Sequence, residues 1–488
     1  MRREFPSWRC AVALAAVGLF VAAGTADANV PLTRVSSDPF TNSTSQHATE
    51  VEPDTFADHG TVVSAFQVGR FFNGGASDIG VVRSGDGGAT WGAPGFLHDT
   101  FNSGAASSPY ERVSDASVAY DARHGVWIVS SIPILPNGIV PTVLFNRSTD
   151  DGRTWGPAIS MPPPVSNSIS LDKNWTACDN HPASPFYGHC YTELDNFGDG
   201  DLELMSTSTD GGRTWSVPIR TDGNDKGLGG QPVVQPSGRV VVPFESLNGT
   251  ISAFHSDNGG ASWSRGFKVS GISFHGVAGG LRTSPLPTAE VSGNGTIYVA
   301  WEDCRFRKKC PANDIVFSKS SDGVGWTAPA RVPIDPVTSG VDHFIPGLAV
   351  DPATSGAGTH LALTYYFYPN ANCGGACRLE VGYISSPDGG AHWGDARQLA
   401  GPMGLSQIAN TSQGPMTGDY ISTSFSGGMA TTVLPVGRDA TTAAFDEAMY
   451  SPGRLSVASA AQATHKAIAT GAFGAVGTGE THRTLRDD

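Results

Sequence analysis

Seven short polar clusters in this chain gather side chains able to carry charge or move a proton. They are Glu52-Pro53-Asp54, Ser114-Asp115-Ala116-Ser117, Asp172-Lys173-Asn174-Trp175, Gln231-Pro232-Val233, residues 282–287 beginning at Arg282, Asp342-His343-Phe344 and Gly418-Asp419-Tyr420-Ile421. Each leads into an apolar run of strand-forming residues, so each marks a strand start. Arg282 has the chemistry of an anion clamp, because a guanidinium holds a carboxylate through two parallel hydrogen bonds. Arg34, Arg70 and Arg112 are further basic groups for such a site, while Arg305 and Arg307 lie in the loop between Cys304 and Cys310 and read as surface groups. An Asp ahead of a strand also caps a turn, so only convergence on one point would turn these groups into a site.

The elements that must bring them together are written in a repeated turn. S-G-D-G-G-A-T-W ends at Trp91, S-T-D-D-G-R-T-W at Trp155, S-T-D-G-G-R-T-W at Trp215, S-D-N-G-G-A-S-W at Trp263, S-S-D-G-V-G-W at Trp326 and S-P-D-G-G-A-H-W at Trp393. The Asp or Asn can bond backbone amides of its own turn, the glycines supply positive φ, and the Trp anchors the strand that follows by burying a large ring. Short β-rich runs such as Asp78-Ile79-Gly80-Val81-Val82 precede the turns, so each turn joins two strands of a hairpin. The tryptophans recur every 50 to 70 residues or so with no helical periodicity between them, which suits four-stranded propeller blades better than a sandwich.

This repeat is the Asp-box, or BNR repeat, and over nearly all its mature length the chain resembles the sialidase-like propeller superfamily. The resemblance implies that the boxes are structural and sit on the rim, away from a central pocket fed by the strand starts. Seven starts against six boxes predict an all-β, seven-bladed propeller, with six blades as the alternative. The seventh blade is expected from Ile421 to about Ser451, closed by an N-terminal strand at residues 32–35, which would remove the exposed sheet edge.

In sialidases a late tyrosine activated by a carboxylate is the nucleophile, an early Asp is the acid and base, and three arginines hold the sialic acid carboxylate. Carried onto this chain, the resemblance makes Tyr420 the nucleophile, with Asp419 beside it, Glu302 or Glu245 as its carboxylate partner, and Asp115 as an early Asp. Arg282, Lys173, Arg112, Asp172 and Glu52 are the binding candidates. The chain departs from the family at the Phe/Tyr-Arg-Ile/Leu-Pro motif: neither Val30-Pro31-Leu32-Thr33-Arg34-Val35 nor Tyr110-Glu111-Arg112-Val113 matches it, so the arginine triad does not carry over. Related propellers are polysaccharide lyases in which His or Tyr removes a proton beside a neutralised uronic acid carboxylate; His343 and Tyr420 with Lys173 and Arg282 would suit that chemistry. The expectation is an exo-α-sialidase-like glycoside hydrolase, with a uronic-acid lyase and a non-catalytic glycan-binding protein as alternatives. No cofactor is expected. Asp195, Asp199 and Asp201 offer oxygen ligands, but their spacing is not that of an EF-hand loop; they read as a solvated turn, and no metal is assigned.

Composition agrees. The net charge is −14, spread without long blocks of one sign, and with no basic stripe nucleic acid is excluded as a partner. Arg2, Arg3 and Arg9, an apolar run from Ala11 to Ala23, and Ala26-Asp27-Ala28 have the layout of a cleaved secretory signal over residues 1–28, and the run is too short to span a bilayer. Six cysteines remain beyond Cys10, in close pairs: Cys178 with Cys190, Cys304 with Cys310, Cys373 with Cys377. In an exported chain these read as local disulfides, and none has zinc-ligand spacing. The propeller is placed at residues 29–454, and the Ala-, Gly- and Thr-rich residues 455–488 are expected to be a disordered tail. A secreted or periplasmic monomer acting on a glycan is the resulting picture.

Overall fold

The computed structural model describes residues 30–441 and 443–469, so the expected signal lies outside the described residues. The β-branched and aromatic runs between the boxes form strands, and among the described residues the helical segments are single 3-10 turns. No described helix is long and apolar enough to cross a membrane.

Among the described residues the strands follow seven antiparallel meanders, of which the first, second and seventh are joined into one sheet by single pairs, Ala76 with Val113 and, in parallel, Thr49 with Glu447. The first is Gln46–Asp58, Thr61–Arg70, Ala76–Ser84 and Gly95–Phe96; the second is Arg112–Asp121, Val126–Ile134, Leu144–Ser148 and Ile159–Ser160. The third is Leu171–Cys178, Cys190–Asn196, Leu202–Ser208 and Ile219–Arg220. In the fourth, Gly227–Leu228 and Val233–Val234 both pair with Val240–Ser246, followed by Thr250–Ser256 and Phe267–Gly271. The fifth runs through Thr288–Val291, Ile297–Asp303, Asp314–Ser320 and Ala330–Arg331, and the sixth through Asp342–Val350, Leu361–Tyr368, Arg378–Ser386 and Arg397–Gly404. The seventh is Ser422–Ser426, Met429–Gly437 and Glu447–Ser451, and its fourth strand is Thr33–Arg34, with Thr33 opposite Ser451. The N-terminal strand thus completes the meander of residues 422–451, as the sequence predicts. The first strands pack in cyclic order, each against the next, and Ser422–Ser426 returns to Gln46–Asp58.

The six boxes lie between the third and fourth strands of the first six meanders. In the third, Ser208 Oγ bonds Asp210 Oδ1 (3.0 Å), Gly212 N donates to Ser208 Oγ (3.0 Å), and Thr214 donates from its N to Oδ1 (3.0 Å) and from its Oγ1 to Oδ2 (2.7 Å) of Asp210. The same bonds recur at Ser84, Asp86 and Thr90, and Asn258 and His392 fit the scheme by bonding Ser262 and Asp388. The tryptophans do something the turn alone does not reveal. They pack on the preceding meander as well as on their own, where Trp263 meets Phe254 edge-on. Trp215 stacks on Phe145 at 3.8 Å between centroids, Trp263 meets Tyr191 edge-on, and Trp393 meets Phe317 edge-on.

The second glycine of the box follows the same logic. Gly88 has φ +88°, and a Cβ there would lie 2.2 Å from Thr431 Oγ1 of the seventh meander. Gly88→Ala is therefore expected to cost roughly 2–4 kcal/mol. Gly60→Ala has the same backbone cost (φ +87°) but nothing within 4 Å, and is expected to cost about 1 kcal/mol. Urea unfolding of the two variants measures the difference, and equal losses would remove the close-approach argument.

The cysteines pair as expected, Cys178–Cys190, Cys304–Cys310 and Cys373–Cys377. Residues 455–469, expected to be unstructured with the rest of the tail, are instead ordered: Leu455 pairs with Ala430, His465–Lys466 with His392–Trp393, and Ile468–Ala469 with Ala330–Arg331. Open sheet edges take up this segment despite its weak pattern.

Candidate functional site

The strand starts converge because four of them are bulged. The register shifts between Val51 and Asp54, Ser114 and Ser117, Asp172 and Asn174, and Phe344 and Gly347. At each shift one residue is left-handed: Glu52 (φ 56°), Asp115 (50°), Lys173 (37°) and Ile345 (48°). A bulge re-aims a side chain that the pleat would otherwise direct elsewhere, and such backbone costs about 1–3 kcal/mol per residue. Ile345, being β-branched, is the most strained; its N–H donates to the buried Glu302 carboxylate at 2.6 Å, which holds the conformation.

Glu52, Asp115, Lys173, Arg282, Asp419 and Tyr420 form one buried network. Lys173 Nζ lies 3.0 Å from Asp115 Oδ1 and 4.0 Å above the Tyr420 ring. Arg282 holds Asp419 in a two-pronged contact, Nε to Oδ1 at 2.9 Å and Nη2 to Oδ2 at 2.6 Å. Asp419 N donates to Glu52 Oε1 at 3.0 Å, Glu52 Oε2 accepts from Gln67, and Tyr420 OH donates to the Ala116 carbonyl at 3.1 Å. Trp175 stands edge-on to Tyr420 with centroids 5.2 Å apart. Lys173, Trp175, Gln231, Leu286, Ile345 and Tyr420 are among the residues lining the pocket above this network.

The electrostatics follow from burial and pairing. Burial pushes Glu52 up to about 8, with Asp115 and Asp419 adding to the rise against Lys173. Burial works against the Lys173 charge, but Asp115 and Glu52 outweigh it and hold the ammonium above its ordinary range. Burial, then the charges of Glu52 and Asp115, push the Tyr420 phenol well above its ordinary value. At neutral pH the tyrosine keeps its proton, and burial favours the protonated form of Glu52.

The remaining candidates lie elsewhere or serve the backbone. His343 is buried against Tyr365 and Phe367, its Nδ1 3.3 Å from the Asn313 carbonyl, and burial lowers its pKa. It belongs to a cluster with Asp314 and Asp335, where Arg307 and Arg331 bind both carboxylates. Arg307, expected on the surface, is therefore buried. Arg112 donates to the Asn73 and Gly74 carbonyls, Arg34 pairs with Asp446, and Arg70 donates to Gln67. Asp172 Oδ1 accepts from Lys173 N, Asp54 ties the first two meanders by accepting from Val118 N, and Glu245 accepts from Ser284. Sequence reasoning did not single out Trp175, Gln67 or Ile345. Trp175 stood in a quoted cluster, but only the bulge beside it explains its place.

The fold resembles that of sialidases. Similar solved structures include a protein of unknown function from Dyadobacter fermentans (16% identity, 74% of this chain and 99% of that one, TM-score 0.48). A NanB sialidase mutant from Streptococcus pneumoniae is similar over 74% and 70% of the two chains (13%, TM-score 0.47). The intramolecular trans-sialidase from Ruminococcus gnavus is similar over 86% and 96% (14%, TM-score 0.41). No protein-family model and no curated protein matches the sequence.

Proposed function

We propose that the chain is an exported carbohydrate-binding protein whose seven meanders are the blades of a sialidase-like propeller, and that an uncharged sugar is held at the mouth of the axial pocket that Trp175 and Tyr420 line, since the cavity itself, about 10 Å³, has room for no more than a water. The observation that carries this reading is that the cations at the pocket already hold anions: Lys173 has Asp115 and Arg282 has Asp419. A carboxylated sugar would have to displace a buried two-pronged carboxylate. A neutral ring needs only an aromatic wall and a few hydrogen-bonding groups, which Trp175, Tyr420 and Gln231 supply. The three disulfides suit an oxidising compartment.

A second reading, exo-α-sialidase-like hydrolysis, is favoured by one feature: Glu52, whose burial favours its protonated form, lies in the same network as Tyr420. The lyase reading drew on His343 or Tyr420 as the base with Lys173 and Arg282; His343 lies with Asp314 and Asp335 and is not among the residues lining the Tyr420 pocket.

Calorimetric titration with neutral and carboxylated oligosaccharides, alongside a fluorogenic sialoside assay, separates the readings. The expected result is binding of neutral glycans, weakened roughly tenfold or more by Trp175→Ala through loss of one aromatic contact, with no sialoside turnover. Turnover that Tyr420→Phe abolishes would overturn the binding proposal in favour of the hydrolase.

A further inference from the structure

The net charge of −14 hides a sector with no acid in it. Residues 267–287 carry the fourth meander into the fifth, and residues 304–313 and 369–377 are the equivalent turns, between second and third strands, of the fifth and sixth meanders. None of these residues is Asp or Glu, yet they include three of the chain's seven lysines, Lys268, Lys308 and Lys309, with Arg378 at their edge. The segments are neighbours in space. Cys304 N donates to the Ser273 carbonyl (2.7 Å), Asn313 Nδ2 donates to the His275 carbonyl (2.7 Å), and His275 N donates to Asn313 Oδ1 (2.8 Å). A Cβ on Gly279 would stand 3.1 Å from Cys377 Sγ.

The turns are held rigidly and their charges are presented to solvent. Disulfides close both turns, Cys304 to Cys310 and Cys373 to Cys377. Arg305 is tied to the buried Asp303 and reaches Ser270 Oγ (3.0 Å) and the Gly271 carbonyl, which fixes its turn against the fourth meander. Lys268 Nζ lies 3.5 Å from the position of a Cβ on that same Gly271, so this lysine belongs to the edge where the turn docks. Lys309 and Cys310 are both left-handed, with φ of 69° and 53°; such backbone costs about 1–3 kcal/mol per residue and persists only where the surroundings impose it. Lys268, Lys308, Lys309 and Arg378 are exposed, and none of them forms an ion pair among the described residues.

We propose that this sector binds an acidic polysaccharide, one carrying carboxylate or sulfate groups along its chain, at a surface separate from the axial pocket. The pocket's own cations already hold Asp115 and Asp419, whereas these four are open to a ligand. The two places adjoin, because Leu286 and Pro287, at the end of the acid-free connection, line the pocket. Charge by itself suits any polyanion, and the other side chains select among them. Among the described residues the sector exposes no large apolar side chain to enter a bilayer, and no aromatic ring on which the bases of a single strand would stack. It offers instead the exposed amides of Asn370 and Asn372, which donate to and accept from sugar hydroxyls. Turns already fixed by disulfides lose little freedom when a chain settles on them.

The test is calorimetric titration of the full chain with polygalacturonate at low and at raised salt. The expected result is saturable binding that weakens roughly tenfold or more between about 50 and 200 mM salt, as screening and counterion release require. Lys308→Ser combined with Lys309→Asn removes both charges, and Asn accepts the left-handed backbone at 309. That variant should melt with the parent and bind roughly tenfold more weakly. Trp175→Ala should leave polygalacturonate binding unchanged, so this proposal and the reading of the pocket fail separately. No binding by the parent, or binding undiminished in the double variant, would overturn the proposal. Equally tight binding of single-stranded DNA or of phosphatidylserine vesicles would overturn it too, by making the sector a general anion surface.

Discussion

Arg282→Met is expected to destabilise the protein by about 3–5 kcal/mol, the loss that follows when one member of a buried ion pair is removed. The side chains of Arg282 and Asp419 are 4% and 3% exposed, so after the substitution the Asp419 carboxyl loses its two-pronged partner while staying buried. The converse change is more informative. Asp419→Ala should cost a similar amount but take the two-pronged carboxylate away from the Arg282 guanidinium, and the protein should then gain affinity for a free sialic acid. Replacing both residues by Met and Leu should recover most of the lost stability, because a well-packed apolar pair commonly equals a buried ion pair. Urea unfolding supplies the energies and calorimetric titration the affinity. A loss under 1 kcal/mol for Arg282→Met would mean that the pair is not desolvated; unchanged affinity in Asp419→Ala would mean that Arg282 does not face the pocket.

This pair also shows where sequence reasoning stops. The boxes were legible because their bonds are local: Ser84, Asp86, Gly88 and Thr90 satisfy one another within seven residues. The closing of the seventh meander by Thr33–Arg34 was legible from a missing fourth strand. Arg282 and Asp419 are 137 residues apart, and nothing local states that the clamp already holds a carboxylate. His343 was misread for a different reason. It lies two residues before the bulge at Ile345, where register decides which side chains reach the axis, and a shift of one residue exchanges the two faces. Ile345 turns to the pocket while His343 is buried against aromatic rings. The tryptophans were recognised as anchors, yet they also anchor the neighbouring meander, a relation that exists only once the sheets are assembled.

The same burial that closes the site makes the fold sensitive to alkali. Glu50, Glu52, Asp54 and Asp78 are all buried in or next to the first meander. Burial is the largest cause of each shift, pushing Glu50 and Asp54 up to about 7 and Glu52 and Asp78 up to about 8. A carboxyl whose folded pKa is raised keeps a proton that the unfolded chain has released. Its contribution is therefore complete below about pH 4 and is lost as pH rises through 7 to 8. A lift of about three units corresponds to about 4 kcal/mol for one group. His343, held neutral by burial, acts in the opposite direction, losing its contribution as pH falls through the ordinary histidine range, but one such group does not offset four. The box residues Asp86, Asp150 and Asp322 have lowered pKa values from their turn hydrogen bonds and set the acid limit, losing their contribution below about pH 4. Thermal stability should accordingly peak near pH 5 and fall steadily toward pH 8. Glu50→Gln, which mimics the protonated form, should flatten part of that slope. A melting temperature that stays level or rises between pH 5 and 8 would show that these carboxylates are ionised and compensated in the folded chain, and with that the protonated Glu52 would go as well.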